Sequence, residues 1–323
     1  MVLSASPDPG AGAARSGPEL AATPSTLEPT TPPLSVLLTT WSFDPAAAAL
    51  LLVAGLFYVG GVLRLRRRGH RWPRRFTAAF LLLGLGSYAV VSFGFLGAES
   101  TDLRWAFTTR IALLLFVVPA LLALGRPVAL ARVALGPRGR ARTDRAMRSW
   151  PARALGNAMA APLIACAVFL VFLTPVAAVL RDSPWSEWTI SVLTPLAGLV
   201  LVLPIAAHSV IRTGFFVTVE FLLAFVELVL DAIPGLLLRL NDGILDHAPA
   251  IVGRLPLWFP TPLHDQHLSG DLLWFIAEVA DVPVLVLLFV RWMRLDRREG
   301  KRLDELSDEE MEALTRDHLS RRG

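Results

Sequence analysis

The sequence has few charged residues and a single cysteine. Only 18% of its 323 residues are charged, whereas 54% are hydrophobic and the mean hydropathy is +0.54. Soluble proteins carry about 25% charged residues, so this deficit excludes an ordinary soluble enzyme and a disordered chain. Because Cys166 stands alone in an apolar run, a disulfide framework, a CxxC redox pair and a thiolate zinc site are excluded as well.

Motifs for catalysis are also missing. The sequence contains no Walker loop, no HExxH and no GxSxG, so we expect the protein not to be an enzyme. A sequence pI near 10.1 is typical of nucleic-acid binding, but the arginines cluster beside apolar segments, as membrane topology requires. We therefore expect membrane lipids as partners and no nucleic acid.

Long apolar runs predict an all-α integral membrane protein, a polytopic bundle of about seven helices. A span needs about 20 apolar residues, and the candidates are 45–63, 76–97, 106–125, 156–180, 187–211, 213–238 and 270–290. They form one predicted membrane domain over residues 41–298. A disordered tail rich in Pro, Ala, Ser and Thr precedes it over residues 1–40, and a charged tail follows over residues 299–323.

Arginine counts in the loops predict the orientation. The stretch 64–75 has seven arginines and no acid, and the stretch 126–153 has eight arginines against Asp144 alone. The alternate loops are poor in arginine. Because arginine-rich loops stay in the cytoplasm, we predict a multi-pass protein of the bacterial plasma membrane, with the N-terminus outside and the C-terminal tail in the cytoplasm.

Ionisable residues inside the predicted spans form a candidate functional set. They are costly in lipid and therefore face the interior of a bundle; the set comprises Arg110, Glu220, Glu227, Asp231, Asp271, Glu278 and Asp281. One interpretation is a path for protons or cations, and the other is polar contacts that fix helix packing. From the rise of 1.5 Å per residue, we expect Arg110 to pair with Asp231 or Asp271, and at least one deeper acid to be protonated or to hold a cation.

The last predicted loop carries two histidines and two aromatic residues of interest. His264 and His267, with acids nearby, form a weak candidate for a divalent metal site. We favour a polar helix entrance there, and predict no metal site. Trp258 and Phe259 are expected to anchor the loop at the membrane surface, with partner docking as the alternative.

Three stretches together resemble the CtaG family of cytochrome c oxidase assembly proteins, the group linked to caa-type oxidases. They are FYVGGVLRLRRRG at 57–69 followed by Trp72, PALLALGRP at 119–127, and PLHDQHLSG at 262–270 followed by Trp274. In the third stretch, Asp265, Gln266, Gly270 and Trp274 carry the motif. The resemblance implies seven spans, an outside N-terminus, oxidase subunits as partners, and a role as a non-enzymatic scaffold or chaperone in respiratory oxidase biogenesis.

The sequence departs from the family at its proposed ligands. Where the resemblance implies an H-x3-H pair, this chain has Phe107 and Ile111. Where it implies a Trp-His-x-Pro motif, the chain has Phe172-Leu173-Thr174-Pro175, and where it implies a further histidine pair, the chain has Trp185, Glu187 and Trp188. The five methionines do not cluster and do not replace these ligands. We therefore predict no copper or haem cofactor. A transporter or channel-like protein that moves protons or cations through the acids of the last two spans is the alternative function.

Overall fold

The chain is helical throughout the part that the structure describes. This computed structural model describes residues 31–147, 149, 160–207, 214–248, 255–279, 289–290 and 293, and these ranges contain no strand. The helices are α1 (Leu34–Thr39), α2 (Pro45–Arg67), α3 (Arg74–Ala98), α4 (Arg104–Leu124), α5 (Pro127–Ala134), α6 (Gly136–Met147), α7 (Ala160–Leu170), α8 (Val176–Asp182), α9 (Pro184–Ala207), α10 (Gly214–Leu240) and α11 (262–279). The predicted all-α class is confirmed for these residues.

Three of the helices, α2, α3 and α4, are long and apolar enough to cross a membrane. They coincide with the first three predicted spans. The first residues of α2 explain where it starts: Asp44 accepts the backbone N–H groups of Ala46 at 2.8 Å and Ala47 at 3.1 Å, and Pro45 occupies the first helical position. These three helices mark the chain as a membrane protein.

Helix α4 is packed closely by α3 and α9 at two glycines. A Cβ atom on Gly84 would lie 2.6 Å from the Leu122 side chain, and one on Gly198 would lie 2.1 Å from the Leu115 carbonyl oxygen. Such distances are too short for any residue but glycine, and small residues bring membrane helices together in this way. The backbone of α4 is therefore held on two sides by direct helix contact.

The fourth predicted span, 156–180, is not one continuous helix. After α7 a 3-10 turn covers Val171–Leu173, and Thr174 is extended with φ −123° and ψ 158° before Pro175 leads into α8. A residue before proline avoids the helical region, and the Thr174 hydroxyl donates to the Val171 carbonyl at 2.7 Å. Proline therefore interrupts the helix within this predicted span, and the crossing of the membrane by residues 156–180 stays a prediction.

The last predicted spans are described in part. Helices α9 and α10 lie where the fifth and sixth spans are predicted, and the turn between them, 208–213, is outside the described residues. Helix α11 begins at residue 262, before the predicted start at residue 270, and residues 280–288 are not described. The count of seven spans, their orientation and the two predicted tails, 1–40 and 299–323, stay predictions. Residues 1–30 and 299–323 are outside the described residues, and α1 lies in the described part of the first tail.

Candidate functional site

Four charged side chains and one amide meet near the ends of α4, α8, α10 and α11. This Asp246 cluster consists of Arg104, Arg181, Asp246, Asp265 and Gln266. Asp246 accepts Arg104 Nε at 2.9 Å and Nη2 at 2.9 Å, and also Arg181 Nη2 at 2.8 Å. The side chains of Arg181 and Asp246 are only 7% and 5% exposed. Charge-assisted and bidentate hydrogen bonds of this kind fix the positions of both arginines.

Asp265 caps α4 from another helix. The N-cap residue Leu103 makes no side-chain bond, and Asp265 of α11 instead accepts the backbone N–H groups of Arg104 at 2.8 Å and Trp105 at 3.0 Å. It also lies 3.5 Å from the Arg104 guanidinium. A buried anion at this place is favoured by the free N–H groups and by the dipole of α4.

Gln266 joins the end of α10 to the loop that follows it. Its Oε1 accepts the Leu245 N–H at 2.8 Å, while its Nε2 donates to the Gly243 carbonyl at 3.0 Å and approaches the Leu238 carbonyl at 3.4 Å. Asp246 lies in the same loop. Two consecutive residues, Asp265 and Gln266, therefore hold together the start of α4, the last turn of α10 and the position of Asp246.

The two aspartates of the cluster have pKa values shifted in opposite directions. Burial raises the pKa of Asp265, and the N–H groups of Trp105 and Arg104 offset this only in part, so the pKa lies above 3.8. Burial also acts to raise the pKa of Asp246. There, hydrogen bonds from Arg104 and the Ala248 N–H, together with the charges of both arginines, outweigh burial and lower the pKa below 3.8.

A cavity of about 720 Å³ opens beside the Asp246 cluster. Arg104, Arg181 and Asp265 line it, together with apolar side chains such as Val179 and Phe259. Its volume is in the range of ligand sites, about 300–1,000 Å³. No histidine, cysteine or lysine is among the described residues that line it. The arrangement is suited to binding.

The aromatic residues of the last loop contact the protein at this cavity. Trp258 and Phe259 pack into a small cluster with Phe95, Leu103 and Ala106, and the ring centroids of Trp258 and Phe95 are 6.2 Å apart. Both rings thus pack on other side chains of the chain, and their anchoring at the membrane surface stays a prediction. They hold the loop against the starts of the neighbouring helices.

Arg110 lies in a second buried polar group whose members differ from the predicted partners. Its Nη1 donates to the Ser100 hydroxyl at 3.0 Å and its Nη2 to the Ser191 hydroxyl at 2.8 Å. The nearest carboxylates are those of Asp44 at 3.6 Å and Glu187 at 3.8 Å. Asp44 and Glu187 belong to the starts of α2 and α9, which pack against each other, and α9 also packs against α4.

The predicted pairing of Arg110 with Asp271 is wrong. Asp271 instead lies 3.1 Å from Arg239, and both side chains are about half exposed. The depth of a residue along its helix does not tell which helices are neighbours, and α11 does not face Arg110. The side chain of Asp231, the other predicted partner, is not described.

The remaining intramembrane acids are described only in part. Glu278 is half-buried on α11. The structure does not describe the side chains of Glu220, Glu227, Asp231 and Asp281. The grouping of these acids therefore stays a prediction, and no contact among the described residues supports the transporter alternative.

The histidines at the start of α11 lie apart from any metal-binding group. His267 approaches Arg239 Nη1 at 3.4 Å and the Asn241 carbonyl at 3.3 Å, while the backbone N–H of His264 donates to Thr261 at 3.3 Å. Among the described residues, no three His, Cys, Asp or Glu side chains are placed to hold a metal ion. A neighbouring guanidinium also disfavours a bound cation, since like charges repel.

The opposite end of α4 brings together two of the stretches that carry the family resemblance. The Tyr58 hydroxyl donates to the Gly125 carbonyl at 2.7 Å, and Trp72 Nε1 donates to the Tyr58 oxygen at 3.1 Å. A Cβ atom on Gly125 would lie 2.5 Å from the Cβ of Phe80, so this contact requires glycine. The first two stretches thus form one packed unit.

Apolar side chains fill the place where the family histidines are expected. Phe107 and Ile111 are buried in one cluster with Phe172, against which Leu173 packs. The rings of Phe107 and Phe172 meet edge to face, with centroids 5.8 Å apart. None of these side chains has a nitrogen, oxygen or sulfur atom to bind a metal. The residues present at this place do not fit copper or haem.

Sequence reasoning missed three members of the Asp246 cluster. In the sequence analysis, Arg104, Arg181 and Asp246 were only counted among the loop charges that predict the orientation. A signal for the cluster was available. The arginine-poor loops carry both arginines and acids, and the positive-inside pattern places these loops on the same side of the membrane, where opposite charges can pair. Asp44 had a signal too, because an Asp directly before a Pro at the start of an apolar run is typical of an N-cap.

The long apolar helices and the polar cluster at their ends define a helical membrane protein with a cavity at one end. The model of the Caa3_CtaG family, described as the cytochrome c oxidase caa3 assembly factor, matches residues 56–295. The chain therefore belongs to this family, and the resemblance seen in its sequence is confirmed.

Similar curated proteins come from mycobacteria and are uncharacterized. One from Mycobacterium bovis and one from Mycobacterium tuberculosis are each 26% identical over 299 residues, which is 88% of this chain and 45% of the relative. One from Mycobacterium leprae is 25% identical over 289 residues, 87% of this chain and 43% of the relative. The chain thus spans less than half the length of these relatives. No solved structure matches it.

Proposed function

We propose that the protein is a non-enzymatic scaffold or chaperone in respiratory oxidase biogenesis, and that it holds a segment of an oxidase subunit in the cavity beside the Asp246 cluster. Membership of an oxidase assembly family supports the assembly role. The cavity, about 720 Å³ and lined by both charged and apolar side chains, is the observation that carries the binding step.

The lining of the cavity favours a polypeptide segment that is apolar and carries a basic side chain. Ile244 and Leu255 add apolar surface to the lining, and Asp102 and Asp182 add two acids. Within the Asp246 cluster two arginines already face two aspartates, so these additional acids leave a negative excess. A lysine or arginine on the bound segment would complement it.

Hydrogen bonds hold the walls of the cavity before any partner arrives. The Arg181–Asp246 and Arg104–Asp246 contacts join residues from distant parts of the sequence, each at 2.8–2.9 Å. A site whose walls are fixed loses less conformational entropy on binding than one that must form around its ligand. This rigidity suits a protein that presents a subunit segment in one orientation.

We further propose that the protein works without a bound copper or haem, as a multi-pass protein of the bacterial plasma membrane with the cavity outside. A reporter active only outside the cytoplasm tests the orientation. Fusions after residue 100 or 255 should be active, and fusions after residue 70 or 140 should be silent. The reverse pattern at two sites would contradict the arrangement.

Filling the cavity tests the scaffold role. Ala178 is half-buried and lines the cavity, whereas Val176 on the same helix is exposed and does not line it. In a deletion strain, the Ala178→Trp protein should be present at the normal level but fail to restore oxidase activity and haem spectra. The Val176→Trp protein should restore both. Equal activity of the two variants would contradict binding in the cavity.

A further inference from the structure

Exposed arginines cover the end of the helices opposite the Asp246 cluster. The loop from the end of α2 to the start of α3 contributes seven, all exposed: Arg64, Arg66, Arg67, Arg68, Arg71, Arg74 and Arg75. The segment from the end of α4 through α6 contributes four more that are exposed: Arg126, Arg140, Arg142 and Arg145. Asp144 is the acid of these two stretches, and Arg132 already binds it at 2.8 Å. We call these eleven arginines the basic surface.

Two contacts join the two stretches into one surface. Arg68 Nη1 donates to the carbonyl of Ala134, the last residue of α5, at 3.2 Å. Phe76 lies against both Arg75 and Arg126, whose guanidinium carbons are 4.9 Å and 4.6 Å from the ring centroid. The aromatic ring therefore holds one arginine from each stretch in a fixed position.

Apolar side chains are exposed beside these arginines. Leu124 ends α4, and Val133 and Leu135 lie at the end of α5; all three are about half exposed. The apolar helices α2 and α4 end, and α3 begins, beside these arginines, so in a membrane this surface would lie where the hydrocarbon region meets the headgroups. A phospholipid offers both parts that this surface lacks, a phosphate for the arginines and an acyl chain for the apolar side chains.

We propose that the basic surface binds anionic phospholipids, and that Arg75 and Arg126 on Phe76 form a headgroup phosphate site. Each guanidinium is oriented by the ring and keeps N–H donors for phosphate oxygens. The neighbouring arginines add attraction that is independent of exact geometry and falls with salt. An acidic protein would match the charge but would leave Leu124, Val133 and Leu135 exposed, which is why we favour lipid.

The test uses the full chain in neutral detergent and measures retained lipid by native mass spectrometry. Phosphatidylglycerol and phosphatidylcholine with identical acyl chains are titrated separately. The protein should prefer phosphatidylglycerol about tenfold or more, since each basic residue near a headgroup adds to the attraction, and added salt should reduce the preference. Equal retention of the two lipids would overturn the proposal.

Paired variants locate the site. The double variant Arg75→Gln with Arg126→Gln should remove most of the preference. If that protein fails to fold, the double variant Arg71→Gln with Arg74→Gln, on the exposed turn before α3, is the second test and should reduce the preference. Arg239→Gln is the matched control, because Arg239 is half-exposed at the Asp246 end and should leave the preference unchanged. An equal loss in the control would overturn the assignment to this surface.

Two competitors distinguish the sources of negative charge. Inorganic phosphate at the concentration of the lipid should displace little phosphatidylglycerol, because it offers no acyl chain to the apolar side chains. A glutamate-rich peptide should likewise compete weakly. Full displacement by phosphate would reduce the surface to a simple anion site, and full displacement by the peptide would point to an acidic protein partner; either result refutes the lipid proposal.

Discussion

Replacing Asp265 tests whether this residue holds α4 to α11. In Asp265→Ala, the N–H groups of Arg104 and Trp105 lose their acceptor at a place that is almost fully buried. Each stranded donor costs about 1–3 kcal/mol, and Arg104 loses one of its two carboxylate neighbours. We expect a loss of about 3–5 kcal/mol, typical of removing one partner from a buried ion pair.

Two further variants separate hydrogen bonding from charge. Asp265→Asn keeps the size and one acceptor oxygen, so it should cost about 1–3 kcal/mol. Asp271→Asn is the matched control on the same helix: its ion pair with Arg239 at 3.1 Å is half-exposed, and exposed pairs contribute about 0–1 kcal/mol. The expected order of destabilisation is therefore Asp265→Ala, Asp265→Asn, Asp271→Asn.

Thermal melting in detergent, followed by tryptophan fluorescence, measures the order. Hydrogen exchange adds a local readout, because Asp265→Ala should speed exchange of the Arg104 and Trp105 amides more than that of amides in the middle of α4. If Asp271→Asn is as damaging as Asp265→Ala, or if both amides stay protected, then Asp265 does not cap α4 and the account of the Asp246 cluster fails.

Three other predictions concern the pH dependence of the two aspartates, the burial of Arg110 and the metal content of the protein. The pKa of Asp265 is raised in the folded protein, so its contribution to stability is present below pH 3.8 and is lost as the pH rises through this raised pKa. The pKa of Asp246 is lowered, so its contribution to stability is present above pH 3.8 and is lost as the pH falls through this lowered pKa. Relative to the unchanged protein, Asp265→Asn should therefore gain melting temperature with rising pH and Asp246→Asn should lose it; parallel profiles would contradict both assignments. Arg110→Leu leaves the Asp44 carboxylate buried without its cation and should cost about 3–5 kcal/mol, far more than Glu278→Gln in the same melting assay. Elemental analysis of the purified protein should find neither copper nor haem iron in stoichiometric amount, and one copper per chain would show that ligands exist outside the apolar cluster at Phe107.

The sequence predicted the first three helices well because hydropathy measures what a membrane span requires. A run of about 20 apolar residues is needed to cross the hydrocarbon, and α2, α3 and α4 each meet this requirement. Hydropathy says nothing about backbone continuity. The run 156–180 is apolar throughout, yet Pro175 and the extended Thr174 divide it into two helices.

The polar contacts were harder to predict because they depend on which helices are neighbours. The depth of Arg110 along α4 was derived from a rise of 1.5 Å per residue, but depth leaves the direction around the helix open. Asp44 and Glu187 lie far from Arg110 in the sequence and become its neighbours only when the starts of α2 and α9 come together beside α4. The close contact at Gly198 brings α9 against α4.

The family motif at the start of α11 is explained by helix packing without any metal. Asp265 and Gln266 bind backbone groups at the ends of two other helices, and a Cβ atom on Gly270 would lie 2.5 Å from the Gly235 carbonyl oxygen. These requirements arise from the fold itself. The positions of the expected histidines, in contrast, are filled by Phe107 and its apolar neighbours. This chain therefore combines the motif with apolar residues where the resemblance implies histidines, so the packing that the motif supplies does not depend on those ligands.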